Sequence, residues 1–206
     1  QPDIGQTLLV IFCWAVLIFT SGINIYILLA IFIAGASLLT YLIIYVPRFD
    51  YIQGRIFSFF NRETGTHNFQ SDKAIESITS GGFFGKGIGE GVLKNRVPEA
   101  HTDYIISVIS EEFGVVAIML ILLLFLILIY MVFKKISFET NDKVKLILIG
   151  SISLILMQAT IHIGVNIRLF PTTGMTLPFL SYGGSSIIST SILAGIILNL
   201  TKRKIT

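Results

Sequence analysis

Charge is scarce in this chain. Lysine and arginine number 15 and aspartate with glutamate 12, so 13% of the 206 residues are charged while 53% are apolar. Soluble domains carry about a quarter charged residues, and a mean hydropathy of +0.83 makes water a poor solvent for this sequence. That excludes a soluble globular domain. A net charge of +3 is too small for a nucleic-acid surface. Cysteine is reduced to one residue, Cys13, inside an apolar run. An internal disulfide is excluded, and a lone thiol there behaves as a small hydrophobe. No basic segment or small-residue cleavage site precedes the first apolar run, which excludes a signal peptide. With Gln1 in first place, the chain reads as a piece of a longer protein.

Further absences narrow the chemistry. The glycines between Gly81 and Gly91 can be forced into a dinucleotide phase, but no strand precedes them and no βαβ unit surrounds them. No lysine stands in a phosphate-loop context. His162 has no second histidine, cysteine or carboxylate at ligand spacing on its own segment, so it is not a metal ligand. No Ser/His/Asp set and no convincing carboxylate pair are present.

Long apolar runs are what the chain has in abundance. About 20 apolar residues cross a bilayer as a helix, and the runs predict spans at about 7–21, 23–46, 104–133, 146–170 and 177–200. Ser21-Gly22 separates the first two, and Pro47 closes the second. Residues 48–103 form a long polar loop, and a Pro/Gly/Ser-rich stretch covers 171–186. The expected architecture is an all-α polytopic transmembrane bundle. Basic residues set its orientation. The connector after Phe133 and the tail hold seven basic residues (Lys134, Lys135, Lys143, Lys145, Lys202, Arg203, Lys204) against Glu139 and Asp142, whereas loop 48–103 balances seven of each sign. Connector and C-terminus are thus expected in the cytoplasm, and loops 48–103 and 171–186 outside.

Polar residues at the rim of these spans are the candidates for function. Thr102 or Asp103 is a suitable N-cap for the helix that follows. Alternatively, Asp103 stands beside His101 and Glu99 at a membrane–water boundary, where its pKa can be tuned. Ser107, Glu111 and Gly114 continue on one helical face. Glu111, about 12 Å along the helix at ~1.5 Å per residue, must face protein or water. Gln158, His162 and Asn166 form a second stripe at spacings of four, suited to interhelical hydrogen bonds or to substrate. The glycine-rich tract beside Lys86, Lys94 and Arg96 offers backbone N–H groups and cations to a phosphate, or is simply a surface loop.

Three motifs occur in order. Gln1-Pro2-Asp3-Ile4-Gly5 opens the chain. Gly85-Lys86-Gly87-Ile88-Gly89 is followed by Pro98-Glu99-Ala100-His101-Thr102-Asp103. Pro171-Thr172-Thr173-Gly174-Met175-Thr176-Leu177-Pro178-Phe179 runs into Leu180-Ser181-Tyr182-Gly183-Gly184-Ser185-Ser186. Together they resemble the SEDS family (shape, elongation, division and sporulation), most closely its division-type members, over essentially the whole chain. The resemblance implies the C-terminal half of a ten-helix membrane domain in the bacterial cytoplasmic membrane. It also implies a peptidoglycan glycosyltransferase that polymerises lipid II on the outer face. Asp103 falls on the family's catalytic aspartate. Lys86, Lys94, Arg96, Glu99, His101, Ser181 and Ser185 are the implied substrate contacts. A divalent cation (Mg or Mn) is implied as cofactor. Implied partners are a class B penicillin-binding protein, other division proteins and membrane lipid, with no nucleic acid. Two positions depart from the pattern: Thr173 stands where division members often carry lysine, and His162 where many carry asparagine. The alternatives are an elongation-type polymerase, a flippase for the lipid-linked precursor, and an inactive scaffold.

Overall fold

The computed structural model of the protein describes residues 4–60, 66–92 and 97–202. Among the described residues seven α-helices follow in order: α1 Ile4–Thr20, α2 Ile25–Tyr45, α3 Asp50–Phe60, α4 Thr66–Gly81, α5 Ile105–Phe138, α6 Asp142–Asn166 and α7 Gly184–Thr201. Among the described residues α2, α5, α6 and α7 are long and apolar enough to cross a membrane, and α1 is a shorter apolar helix. The protein is an all-helical, multi-pass membrane protein.

The turn between α1 and α2 is built as its sequence demands. Gly22 takes φ +86°, and the Asn24 side chain accepts the N–H of Tyr26 at 3.0 Å to cap α2. Asn141 caps α6 in the same way, accepting from Lys143 N–H at 3.0 Å.

α6 is the centre of the bundle. α1 lies along it closely enough for the Leu17 side chain to pack 3.3 Å from where a Cβ on Gly150 would stand. At the connector end, Val132 of α5, Leu148, Ile152 and Ile155 of α6 and Ile197 of α7 form one buried cluster. At the opposite end a second cluster joins Leu9, Ala74, Val97, Ala100, Tyr104, Val108, Ile161, Val165 and Met175. α2 buries no residue against the rest of the described chain.

Several boundaries differ from those expected. Residues 48–103 are not a plain loop: a 3-10 turn, Pro47–Phe49, and helices α3 and α4 occupy much of it. The helix of the fourth span ends at Asn166, not Phe170. Leu169 and Phe170 N–H return to the Gly164 carbonyl, and the Phe170 ring occupies the space above Gly164, 2.2 Å from where a Cβ would stand. The last span starts at Gly184, not near Leu177, because residues 177–183 form a partly buried turn whose Ser181 N–H bonds the Leu177 carbonyl at 3.1 Å.

The largest departure is inside α5. Gly114 has φ +77° and ψ −176°, which breaks the helix, and the glycine-rich tract is spliced into the break. Lys86 N–H bonds the Glu111 carbonyl at 2.9 Å and Gly87 N–H the Glu112 carbonyl at 3.1 Å. In return, Val115 N–H bonds the Gly82 carbonyl at 3.0 Å and Val116 N–H that of Phe83 at 3.2 Å. Backbone groups that a broken helix would leave without partners are thus satisfied by another segment, as a membrane setting requires. The approach is too close for side chains. A Cβ on Gly114 would lie 2.2 Å from the Phe83 oxygen, and one on Gly81 1.8 Å from the Ser110 oxygen.

Candidate active site

Asp103 sits at the end of the bundle opposite the Lys134–Lys145 connector. From Leu146 to Asn166 α6 rises about 30 Å at ~1.5 Å per residue, one hydrocarbon thickness. Asn166 therefore marks the far boundary, and its Nδ2 donates to the Asp103 carbonyl at 3.0 Å. The approach to Asp103 is a tight turn. Glu99 has φ +55°, and its carbonyl accepts N–H groups from Thr102, Asp103 and Tyr104 at 3.1, 3.0 and 3.3 Å. The N-cap of α5 is Tyr104, without any side-chain capping bond. Asp103 does not cap the helix, so its carboxylate is left for other work.

That carboxylate lines a cavity of about 160 Å³ with Arg55, Gln70, Tyr104, Val165, Thr172, Gly174 and Met175. At ~10–15 Å³ of such space per water molecule the cavity has room for several waters or a reacting group. Gly174 has φ +72°, and a Cβ there would stand 3.5 Å from Asp103 Oδ2, so the bare backbone keeps the carboxylate accessible. Burial pushes the Asp103 carboxyl above the usual carboxylate range; the Glu99 charge adds to this and the Arg55 guanidinium opposes it. Arg55 is held in place by a 2.9 Å bond from Nη1 to the Thr172 carbonyl.

The α6 stripe shapes the cavity from behind. Gln158 Nε2 donates to Thr176 O at 2.9 Å and to Ser186 Oγ at 3.1 Å. His162 Nδ1 lies 2.7 Å from Met175 O, which places its proton on Nδ1. Asn166 holds Asp103. The stripe thus fastens the stretch before α7, the first turn of α7 and the turn before α5 to one helix: Gln158 makes the interhelical bond to α7, and none of the three side chains lines the cavity. Tyr104 Oη, His162 Nε2, Asn166 Oδ1 and Thr173 Oγ1 are buried and have no hydrogen-bond partner among the described residues, so each can still bind water or a ligand group.

The remaining candidates are dispersed. Lys86 is not in the cavity: its Nζ is 3.4 Å from Oε1 of Glu111. Glu111 is fully buried and also accepts from Ser77 Oγ at 3.1 Å and Val92 N–H at 3.0 Å. The tract's backbone N–H groups at 86 and 87 serve α5, so they do not form the phosphate cradle. Ser181 is buried, donating to Thr102 O at 2.7 Å and accepting from Leu177 N–H at 2.8 Å. Glu99 bonds Thr102 Oγ1 at 2.9 Å. The His101 side chain is exposed while its carbonyl accepts Tyr182 N–H at 2.9 Å. Ser185 is exposed in the first turn of α7. Lys94 and Arg96 lie outside the described residues. In the sequence Arg55 is one of the seven basic residues of 48–103, and Gln70 carries no signal. Nothing local marks either one, since they meet Asp103 only through the packing of α3 and α4.

With this geometry in hand, the chain can be set beside known proteins. The profile of the cell cycle protein family that groups FtsW, RodA and SpoVE matches residues 1–205. The chain belongs to that family. It is 35% identical to the probable peptidoglycan glycosyltransferase FtsW of Caulobacter vibrioides, over 99% of this chain and 51% of that protein. Identity to the stage V sporulation protein E of Bacillus subtilis is 34%, over 98% of this chain and 55% of that protein. A solved structure described as a peptidoglycan synthase complex that coordinates polymerization and crosslinking superposes with a TM-score of 0.72 at 28% identity. It covers 98% of this chain and 55% of that one. The chain spans about half the length of the curated relatives it matches. The helical fold found here is thus similar, over almost the whole chain, to that of a solved structure.

Proposed function

We propose that the protein carrying this chain is a peptidoglycan glycosyltransferase of bacterial cell division, polymerising lipid II at the outer face of the cytoplasmic membrane. Asp103 carries the reading. It is a carboxylate of raised pKa in a polar cavity at the membrane boundary, opposite a basic connector, in a family whose named relatives include such glycosyltransferases.

The chemistry needs one base. Asp103 takes the proton from the attacking sugar hydroxyl; the oxygen forms a bond to the anomeric carbon of the second lipid II, and the bond from that carbon to pyrophosphate breaks. A raised pKa makes Asp103 the stronger base once it is ionised. Arg55, fixed on Thr172 across the same cavity, is suited to meet negative charge on the departing pyrophosphate.

A divalent cation belongs to the proposal in a limited way. Among the described residues no group of three or more His, Cys, Asp or Glu is arranged to hold a metal ion. Among those residues there is thus no protein cage for a resident metal. Mg²⁺ is commonly held by one or two carboxylates together with substrate phosphate, and Asp103 and Glu99 offer that much. No step above depends on it. The partner in the proposal is a class B penicillin-binding protein, supported by the likeness to a complex that couples polymerization with crosslinking.

The decisive test uses the whole protein with its transpeptidase, supplied with lipid II. Asp103→Asn should fold and bind its partner yet lose about 10² to 10⁴ in polymerisation rate. Near-normal polymer would remove Asp103 from the chemistry. Translocation of lipid II without polymer, by the unmutated protein, would identify a flippase.

A further inference from the structure

The spliced tract carries an apolar tip that no part of the described chain covers. Phe83 is 75% exposed, Phe84 84% and Ile88 79%. Gly82 at φ +59° and Gly85 at φ +79° turn the backbone on either side of the two phenylalanines.

The splice fixes the height of this tip in the membrane. Below the break, residues 115–133 are uncharged and end at Lys134-Lys135. These 19 residues rise about 28 Å at ~1.5 Å per residue, one hydrocarbon core of ~30 Å. With the lysines at one surface, Val115 and Val116 stand at the other. Their N–H groups bond the carbonyls of Gly82 and Phe83. Phe83 and Phe84 are thereby tied to the level at which α5 leaves the hydrocarbon. They are also continuous with its apolar surface, since Phe113, Val115 and Val116 are 43%, 40% and 52% exposed.

We propose that the Phe83-Phe84-Ile88 tip is a lipid-docking finger, inserted in the bilayer interface beside α5 on the side opposite the connector. Its occupant is membrane lipid. Phenylalanine and aliphatic side chains at this level insert at the boundary between headgroups and acyl chains, and a tip linked by backbone bonds to a lipid-facing helix meets the same solvent as that helix. The finger would hold the tract, and with it the buried Glu111 assembly, at a fixed depth.

The test is collision accessibility of a nitroxide label on the whole protein in nanodiscs of phosphatidylethanolamine and phosphatidylglycerol, with Cys13 replaced by serine. Phe84→Cys and, separately, Ile88→Cys should carry labels more accessible to oxygen than to a water-soluble nickel chelate. Glu90→Cys, exposed two residues beyond Ile88, should show the reverse. Labels at 84 and 88 as open to the nickel chelate as the label at 90 would place the tip in water and overturn the proposal. Labels shielded from both reagents would place it under protein, and would overturn it equally.

Discussion

Asn166, at the last turn of α6, holds the main-chain carbonyl of Asp103 with one amide proton and the carbonyl of His162 with the other, at 3.0 and 2.9 Å. The position of the turn that carries Asp103 is thus referred to the most buried helix of the bundle, not to the turn's own sequence. Asn166→Ala removes this tie and leaves the Asp103 carbonyl unsatisfied. A loss of about 1–3 kcal/mol is expected, read as a lower thermal midpoint in detergent. Polymerisation should fall further than stability explains, with the loss in kcat and not in KM. An unchanged kcat in the folded variant would mean that the turn holds itself.

The charges around Asp103 make a signed prediction for pH. The base works ionised, so activity should rise with pH through its pKa. Arg55 lowers that pKa and Glu99 raises it. Arg55→Gln should therefore move the acidic limb of the rate profile to higher pH, and Glu99→Gln should move it to lower pH. Shifts in the same direction for both variants would contradict the assignment of Asp103 as the titrating group.

Stability should respond in the opposite sense to activity. A carboxyl whose pKa is raised in the folded protein binds its proton more tightly there than in the unfolded chain. Stability is then lost as pH rises from the ordinary carboxylate pKa through the folded one. At neutral pH Asp103→Asn should raise the thermal midpoint while abolishing polymer. A lower midpoint would show that the ionised carboxylate has a structural partner.

Gly114→Ala should be far more damaging than its chemistry suggests. The new Cβ would meet the Phe83 oxygen at 2.2 Å on a backbone with φ +77°, so the tract must leave the break or the helix must straighten. Both expose unpaired backbone groups. The expected result is little folded protein by size-exclusion chromatography, whereas Gly54→Ala, at a position with open space, should behave as wild type.

Orientation can be checked at two exposed sites. With Cys13 changed to serine, a cysteine at Ser137 in the connector should resist an impermeant thiol reagent in intact cells, and one at Glu90 should react. The reverse pattern would place the cavity on the cytoplasmic side and sink the polymerase reading.

The spans were legible because lipid imposes a simple rule: about 20 apolar residues and a polar stop. α2, α5, α6 and α7 obey it. Of the two helices between α2 and α5, α4 is silent because it buries the wrong kind of residue for a hydrophobic-periodicity search, and α3 is short and, among the described residues, buries one apolar residue, Ile52. The buried positions of α4 include Ser71, Ala74 and Ser77, a small-residue face that lets its backbone approach α5. The break at Gly114 was equally silent. A glycine within an apolar run does not say whether the helix continues, and here the answer lies in hydrogen bonds from residues some 30 positions earlier. Asp103 was found through its motif. Its opposing cation was not, since Arg55 is 48 positions away in sequence and meets it only once α3 has packed.

The splice at Gly114 also bears on how the protein is made. A nascent membrane helix with a gap in its hydrogen bonding is a poor candidate for release into lipid, because uncovered peptide groups are costly there. The patch for this gap, residues 82–87, leaves the ribosome before the helix that needs it. α5 can therefore be completed as it emerges, with no later element required, and the order of synthesis suits the order of assembly.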